Sequence, residues 1–151
     1  LGLINHCVTM FTGKPEEDFS EIMENTVRYF LSYCASLVGI VDETPAYAGR
    51  NPIDHALQFK ITYAMEYSKI LAFLRLTIAG IIFITLPHLV ILLLISVLMP
   101  FMYLAGILSV IISGRWPTVL FDFISGYFKY TARIFSYIVG LVDAYPPFRL
   151  H

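Results

Sequence analysis

Between Leu76 and Ile112 the chain runs for 37 residues without a single Asp, Glu, Lys or Arg. About 18 to 20 such residues already read as a membrane span, so this stretch fixes the solvent before any other feature is considered. As one straight helix it would be about 55 Å long at 1.5 Å per residue, against a hydrocarbon core of roughly 30 Å. It must therefore bend, tilt strongly or fold back, and Pro87-His88 and Pro100 are the available breakpoints. Lys60, Lys69 and Arg75 precede the stretch and Arg115, Lys129 and Arg133 follow it. Basic residues favour the cytoplasmic face, so both ends are expected there. The expectation is a helical hairpin over 64–113, with a kinked single span as the alternative.

Composition agrees with a lipid solvent. The 151 residues, about one domain by size, are 58% hydrophobic and 14% charged, with a mean hydropathy of +0.73; soluble domains carry about a quarter charged residues. A mainly α integral membrane protein is the class implied. The net charge of −1 gives no field for nucleic acid. Cys7 and Cys34 stand alone, with neither CxxC spacing nor a His partner, and read as small apolar residues rather than a disulfide or metal site. No basic segment followed by a cleavage site opens the chain, so no secretory signal is read; the start at Leu1 reads as a truncation of a longer apolar segment.

The chain also repeats itself. Sliding it by 101 positions pairs Gly13 with Gly114, Lys14 with Arg115, Glu21 with Asp122, Arg28 with Lys129 and Tyr29 with Tyr130. The pairing runs on without a gap to Val38/Val139, Gly39/Gly140, Val41/Val142, Asp42/Asp143 and Pro45/Pro146. Internal repeats decide architecture before local signals do. Each copy, 1–48 and 114–151, reads as a small-Gly-basic turn, a helical stretch and an Asp followed by a Pro-containing stop. In the second copy Asp122, Ser125, Lys129, Arg133, Ser136 and Gly140 make a narrow polar stripe on an apolar cylinder. Such a helix lies in the membrane interface or against embedded helices. Interfacial placement is expected, because a full span would hold Lys129 and Arg133 near mid-bilayer at roughly 2.5 to 3.5 kcal/mol each. Between the copies, 49–63 reads as a linker, with alternation over Ala56 to Tyr63 suggesting one short β-strand; a helix is expected from Glu66 onward.

Leu86-Pro87-His88, Ser113-Gly114-Arg115-Trp116-Pro117, Tyr130 with Arg133 and Tyr137, and Asp143-Ala144-Tyr145-Pro146-Pro147-Phe148 together resemble the bacterial and archaeal membrane family of unknown function numbered 4389. The likeness covers about Leu57 to Phe148 and is weak in the first copy, where the ending is Thr44-Pro45-Ala46-Tyr47 and Ser32 stands opposite Arg133. It implies a prokaryotic cytoplasmic-membrane location and no activity.

His88 is the one ionisable residue in the apolar stretch and, as such, a candidate intramembrane polar site. Axial haem ligation, proton relay or a lipid headgroup contact are the sharp readings. The plain one is that its imidazole satisfies backbone opened by Pro87, which frees the carbonyl four residues back at Phe83. A second histidine at matching depth is missing, so no cofactor is expected. Lys129, Arg133, Tyr137, Arg115 and Trp116 are candidate contacts for lipid or partner: basic groups suit anionic headgroups, and aromatic and Arg residues anchor interfaces. Asp42 and Asp143 read as turn residues. No phosphate loop, nucleophile elbow, metal motif or convergent acid–base pair is present. The expected function is a non-catalytic accessory subunit of a membrane assembly, in contact with lipids and other membrane subunits; a lipid-binding or small-solute transport module is the alternative.

Overall fold

The computed structural model describes residues 2–39 and 67–150. Within them every regular element is a helix: α1 (Gly2–Thr12), α2 (Glu17–Leu37), α3 (Lys69–Leu76), α4 (Ile78–Ser113) and α5 (Thr118–Ile138). The strand expected over Ala56 to Tyr63 lies outside the described residues, and no strand occurs among those described.

α4 corrects the hairpin expectation. It is one helix of 36 residues with Pro87 and Pro100 both inside it. From His88 to Met99 there is no Gly, Asn or Asp to make a turn, and a turn between such apolar residues would strip several backbone groups of their helical partners, whereas an internal proline removes only one hydrogen bond. α4 is the one helix among the described residues long and apolar enough to cross a membrane. Its start is sharp. Thr77 is extended (φ −92°, ψ 134°), its hydroxyl accepts from Gly80 N and donates to Leu74 O, and these bonds break the helix expected from Glu66 into α3 and α4. Gly80 is required there, because a Cβ would collide with the Leu74 carbonyl oxygen.

α5 runs back along α4. Trp116 lies against Gly106 and Tyr103, Tyr130 reaches His88, and Tyr145 beyond the helix reaches Ile84. Rather than lying alone at an interface, the second amphipathic helix packs lengthwise on the apolar one. The contact stripe on α4 includes Thr85, His88 and Gly106, which are buried; around the rest of the helix Phe83, Leu93, Phe101 and Ile111 are exposed. α2 packs on the other side of α5, and α1 packs on α3. The core between α2 and α5 holds Met23, Leu31, Ala35, Ile124, Phe128, Ala132 and Leu141.

The elements follow the 101-residue offset in detail. α2 and α5 both have 21 residues. Thr12 Oγ1 donates to Val8 O and Lys14 O, and Ser113 Oγ donates to Ser109 O and Arg115 O. After α2 and α5, Val38 and Val139 donate to Cys34 O and Phe135 O. Gly39 (φ 72°) and Gly140 (φ 83°) then take the left-handed turn that ends each helix.

Candidate functional site

The segment read from the sequence as a stop, Asp143 to Phe148, folds back onto the amino-terminal part of α4. Its anchor is Arg75, at the end of α3 and only 3% exposed. The guanidinium lies 3.3 Å from Asp143 Oδ1, donates to Val142 O at 3.3 Å and covers the Tyr137 ring at 4.0 Å. Asp143 Oδ2 accepts from Ser68 N at 2.8 Å, and Tyr67 donates its hydroxyl to Leu141 O at 2.7 Å. A guanidinium buried this deeply requires a carboxylate and a carbonyl around it, and the turn after α5 supplies both.

Beyond this anchor an aromatic box closes around His88, which is 1% exposed. The imidazole stacks on Phe148 (4.6 Å between centroids, 19°) and packs against Tyr145 (4.9 Å). Its Nδ1 is 2.7 Å from the Tyr130 hydroxyl. Burial, with Tyr145 as a second cause, pushes the Tyr130 phenol up from its ordinary value, so the hydroxyl keeps its proton. The other ring nitrogen, Nε2, is buried without a hydrogen-bond partner among the described residues, as is Thr85 Oγ1 one turn earlier on α4.

Pro87 is not served as the sequence expectation had it. His88 is engaged with Tyr130, Tyr145 and Phe148 rather than with the Phe83 carbonyl that Pro87 frees, and the Tyr145 hydroxyl, in the returning segment, lies 3.4 Å from the neighbouring Ile84 O.

The other candidates separate into two groups. Arg133 and Tyr137 join the box. Arg133 donates to Arg149 O and Leu150 O at 3.2 Å each, and burial followed by the Arg149 charge pushes it below its ordinary value, leaving it a guanidinium. Tyr137 is buried beneath Arg75 and edge-on to Tyr145, so its ring is not at a surface. Trp116 is turned inward over Gly106 at the far end of α5, Arg115 is exposed, and Lys129 is half-buried. Sequence reasoning missed Arg75, Tyr67 and Phe148 as members of one cluster. The available signal was a terminal acid followed by two aromatics, in a chain whose apolar helix begins beside an arginine.

No group of three or more His, Cys, Asp or Glu side chains that could hold a metal ion occurs among the described residues. The arrangement is a polar and aromatic clasp around an apolar helix that carries an internal proline. Arg75, His88, Tyr130, Asp143, Tyr145 and Phe148 all fall within the span that a known family matches: the family described as Domain of unknown function (DUF4389) covers residues 72–149, just over half of the chain, and the chain belongs to it. No curated protein and no solved structure matches.

Proposed function

We propose that this protein is a non-catalytic structural subunit of a larger assembly in the cytoplasmic membrane of a prokaryotic cell, held in the bilayer by α4 with α5 beside it. The observation that carries the reading is where the reactive-looking groups are engaged. Arg75 is closed on Asp143, Arg133 on the backbone of Arg149 and Leu150, and His88 on Tyr130; each braces this chain instead of converging with the others on an open cleft. A scaffold needs such bracing, while catalysis needs groups free to meet a substrate. The uncharged surface of α4 suits lipid, and the exposed Phe30, Tyr33 and Leu37 on α2 offer aromatic and aliphatic area to another subunit.

The test combines alkaline carbonate extraction with native gels after mild detergent. The protein is expected in the membrane pellet and in a band shared with fixed partners, and replacing Tyr33 and Leu37 together by Ser is expected to free it from that band while it stays in the pellet. Recovery in the carbonate supernatant would sink the membrane placement. Migration of the unmodified chain as a lone species would sink the subunit reading.

A further inference from the structure

Two aromatic groups mark two levels along α4. His88 meets Tyr145 and Phe148 of the returning segment and Tyr130 of α5; Gly106, 18 residues on, lies beneath Trp116, which packs on Tyr103. At 1.5 Å per residue the levels are about 27 Å apart, close to the roughly 30 Å of a hydrocarbon core. Between them α4 exposes Leu89, Leu93, Val97 and Phe101. Aromatic rings gather at membrane interfaces, so in the membrane placement proposed above each group stands at one boundary of the bilayer. α5 runs antiparallel to α4 and passes Trp116 before Tyr130, which puts Arg133, three residues further, about 4.5 Å outside the His88 boundary. That is the depth of phospholipid headgroups.

Charge at this level is not balanced by protein. Arg133 donates once from Nη1 to Arg149 O and once from Nη2 to Leu150 O, each at 3.2 Å. A guanidinium has five N–H donors, and neutral carbonyls leave its charge in place. Leu150 is seated on Gly126, where a Cβ would fall 3.0 Å from it, and this seat sets Arg149 beside Arg133. Neither arginine is paired with a carboxylate among the described residues, whose ion pairs are Arg28 with Glu24 and Arg75 with Asp143. We infer that Arg133 and Arg149 together hold the phosphate of an anionic phospholipid at the His88 boundary, an inference that rests on the membrane placement proposed above. Continuity with the apolar surface of α4 selects a lipid over an acidic protein segment. Arg149 follows Phe148, which is 58% exposed and stacked on His88, and Tyr145 shares one apolar depression with Ile82, Phe83 and Leu86 of α4. A phospholipid brings phosphate to the arginines and hydrocarbon to these rings, whereas a peptide would bring backbone N–H and C=O groups to surfaces that offer them no partner.

Native mass spectrometry of the full chain in mild detergent, offered equal amounts of phosphatidylglycerol and phosphatidylcholine, reads the preference. A basic group near anionic headgroups contributes about fivefold, so phosphatidylglycerol adducts are expected to exceed phosphatidylcholine adducts by about twenty-fivefold. Arg149→Gln keeps the backbone carbonyl that Arg133 uses and should lower that ratio about fivefold; adding Arg133→Gln should bring the ratio to about one. Arg115→Gln, at the opposite boundary, should leave it within about twofold. Equal retention of the two lipids by the parent would overturn the inference, as would an unchanged ratio in Arg149→Gln. Displacement of phosphatidylglycerol by excess inorganic phosphate would make the pair a site for the free anion, and displacement by a glutamate-rich peptide would make it a protein site; either overturns the lipid assignment. The carbonate extraction described above separates the two readings. A chain that stays in the pellet yet shows no preference loses this inference alone, and one found in the supernatant loses the membrane placement with it.

Discussion

If the hydrogen bond between His88 and Tyr130 serves the fold, removing one partner should harm the protein more than removing both. Tyr130→Phe leaves Nδ1 without its hydroxyl, and Nε2 has no partner among the described residues, so a fully buried imidazole would keep no hydrogen bond to any of them. Stranding a buried polar group costs about 1 to 3 kcal/mol. His88→Gln keeps a group able to meet the Tyr130 hydroxyl but loses the ring stacked on Phe148 and packed on Tyr145; at roughly 0.5 to 1.5 kcal/mol per aromatic contact the loss is again about 1 to 3 kcal/mol. The double variant His88→Phe with Tyr130→Phe restores a six-carbon ring between Phe148 and Tyr145 and removes the orphan Nε2. Replacing both partners by apolar groups of similar shape is nearly neutral, so its stability should lie within about 1 kcal/mol of the starting protein. The assay is unfolding by SDS titration in mixed micelles, followed by far-ultraviolet circular dichroism, for the three variants and the parent. A double variant that is at least as unstable as Tyr130→Phe alone would refute the reasoning. So would one that is stable yet lost from the native-gel assembly, because the polar pair would then act outside the fold.

Glycine substitutions separate backbone strain from space: at Gly39 (φ 72°) an added Cβ meets nothing among the described residues, while at Gly140 (φ 83°) it falls 2.6 Å from the His6 ring. Gly39→Ala should therefore cost about 1 kcal/mol and Gly140→Ala clearly more, read as the difference in their SDS midpoints. Trp116 is the only tryptophan and its ring occupies the place of a side chain at Gly106, 2.5 Å from where a Cβ would stand. Gly106→Val should displace it and change its fluorescence maximum, and an unchanged spectrum would count against this packing. Arg75→Met breaks a buried pair and strands Asp143, which costs about 3 to 5 kcal/mol when one partner remains; adding Asp143→Asn should recover part of the loss in the same titration. Burial pushes the His6 imidazole below its ordinary value of about 6.5, so the unfolded chain binds the proton more tightly. Stability should fall as pH drops below about 6.5, and the His6→Gln variant should show a shallower decline than the parent between about pH 6.5 and 5.

Local signals in this chain were legible and long-range pairings were not. The uncharged run gave α4, the offset of 101 gave α2 and α5 their matching lengths, and the glycines that end them stand where a left-handed residue was needed. The hairpin failed because charges were counted along the sequence. Arg75 is folded inward on Asp143, and α5 carries Lys129 and Arg133 back alongside α4, so neither set is a simple flank of the apolar run. Tyr137 and Arg133 read as surface contacts because a polar stripe on an isolated helix cannot say what will cover it. The cover comes from the tail, through partners 16 and 17 residues away for Arg133 and 67 residues away for the bond between Arg75 and Val142. Likewise the box around His88 joins α4, α5 and the tail, and nothing within a helical turn of His88 announces it.

The bond from His6 Nε2 to Ile138 O spans 132 residues at 2.8 Å. Ribosomes add about 5 to 20 residues per second, so α1 waits on the order of ten seconds for the acceptor that its histidine uses. The tail that clasps α4 is made later still. During that interval the early helices lack these partners, and a chain stalled before residue 140 would leave His88 and Arg75 without their covers. Such a nascent chain should be more easily cleaved by a protease than one in which the segment from Asp143 to Phe148 has closed on α4.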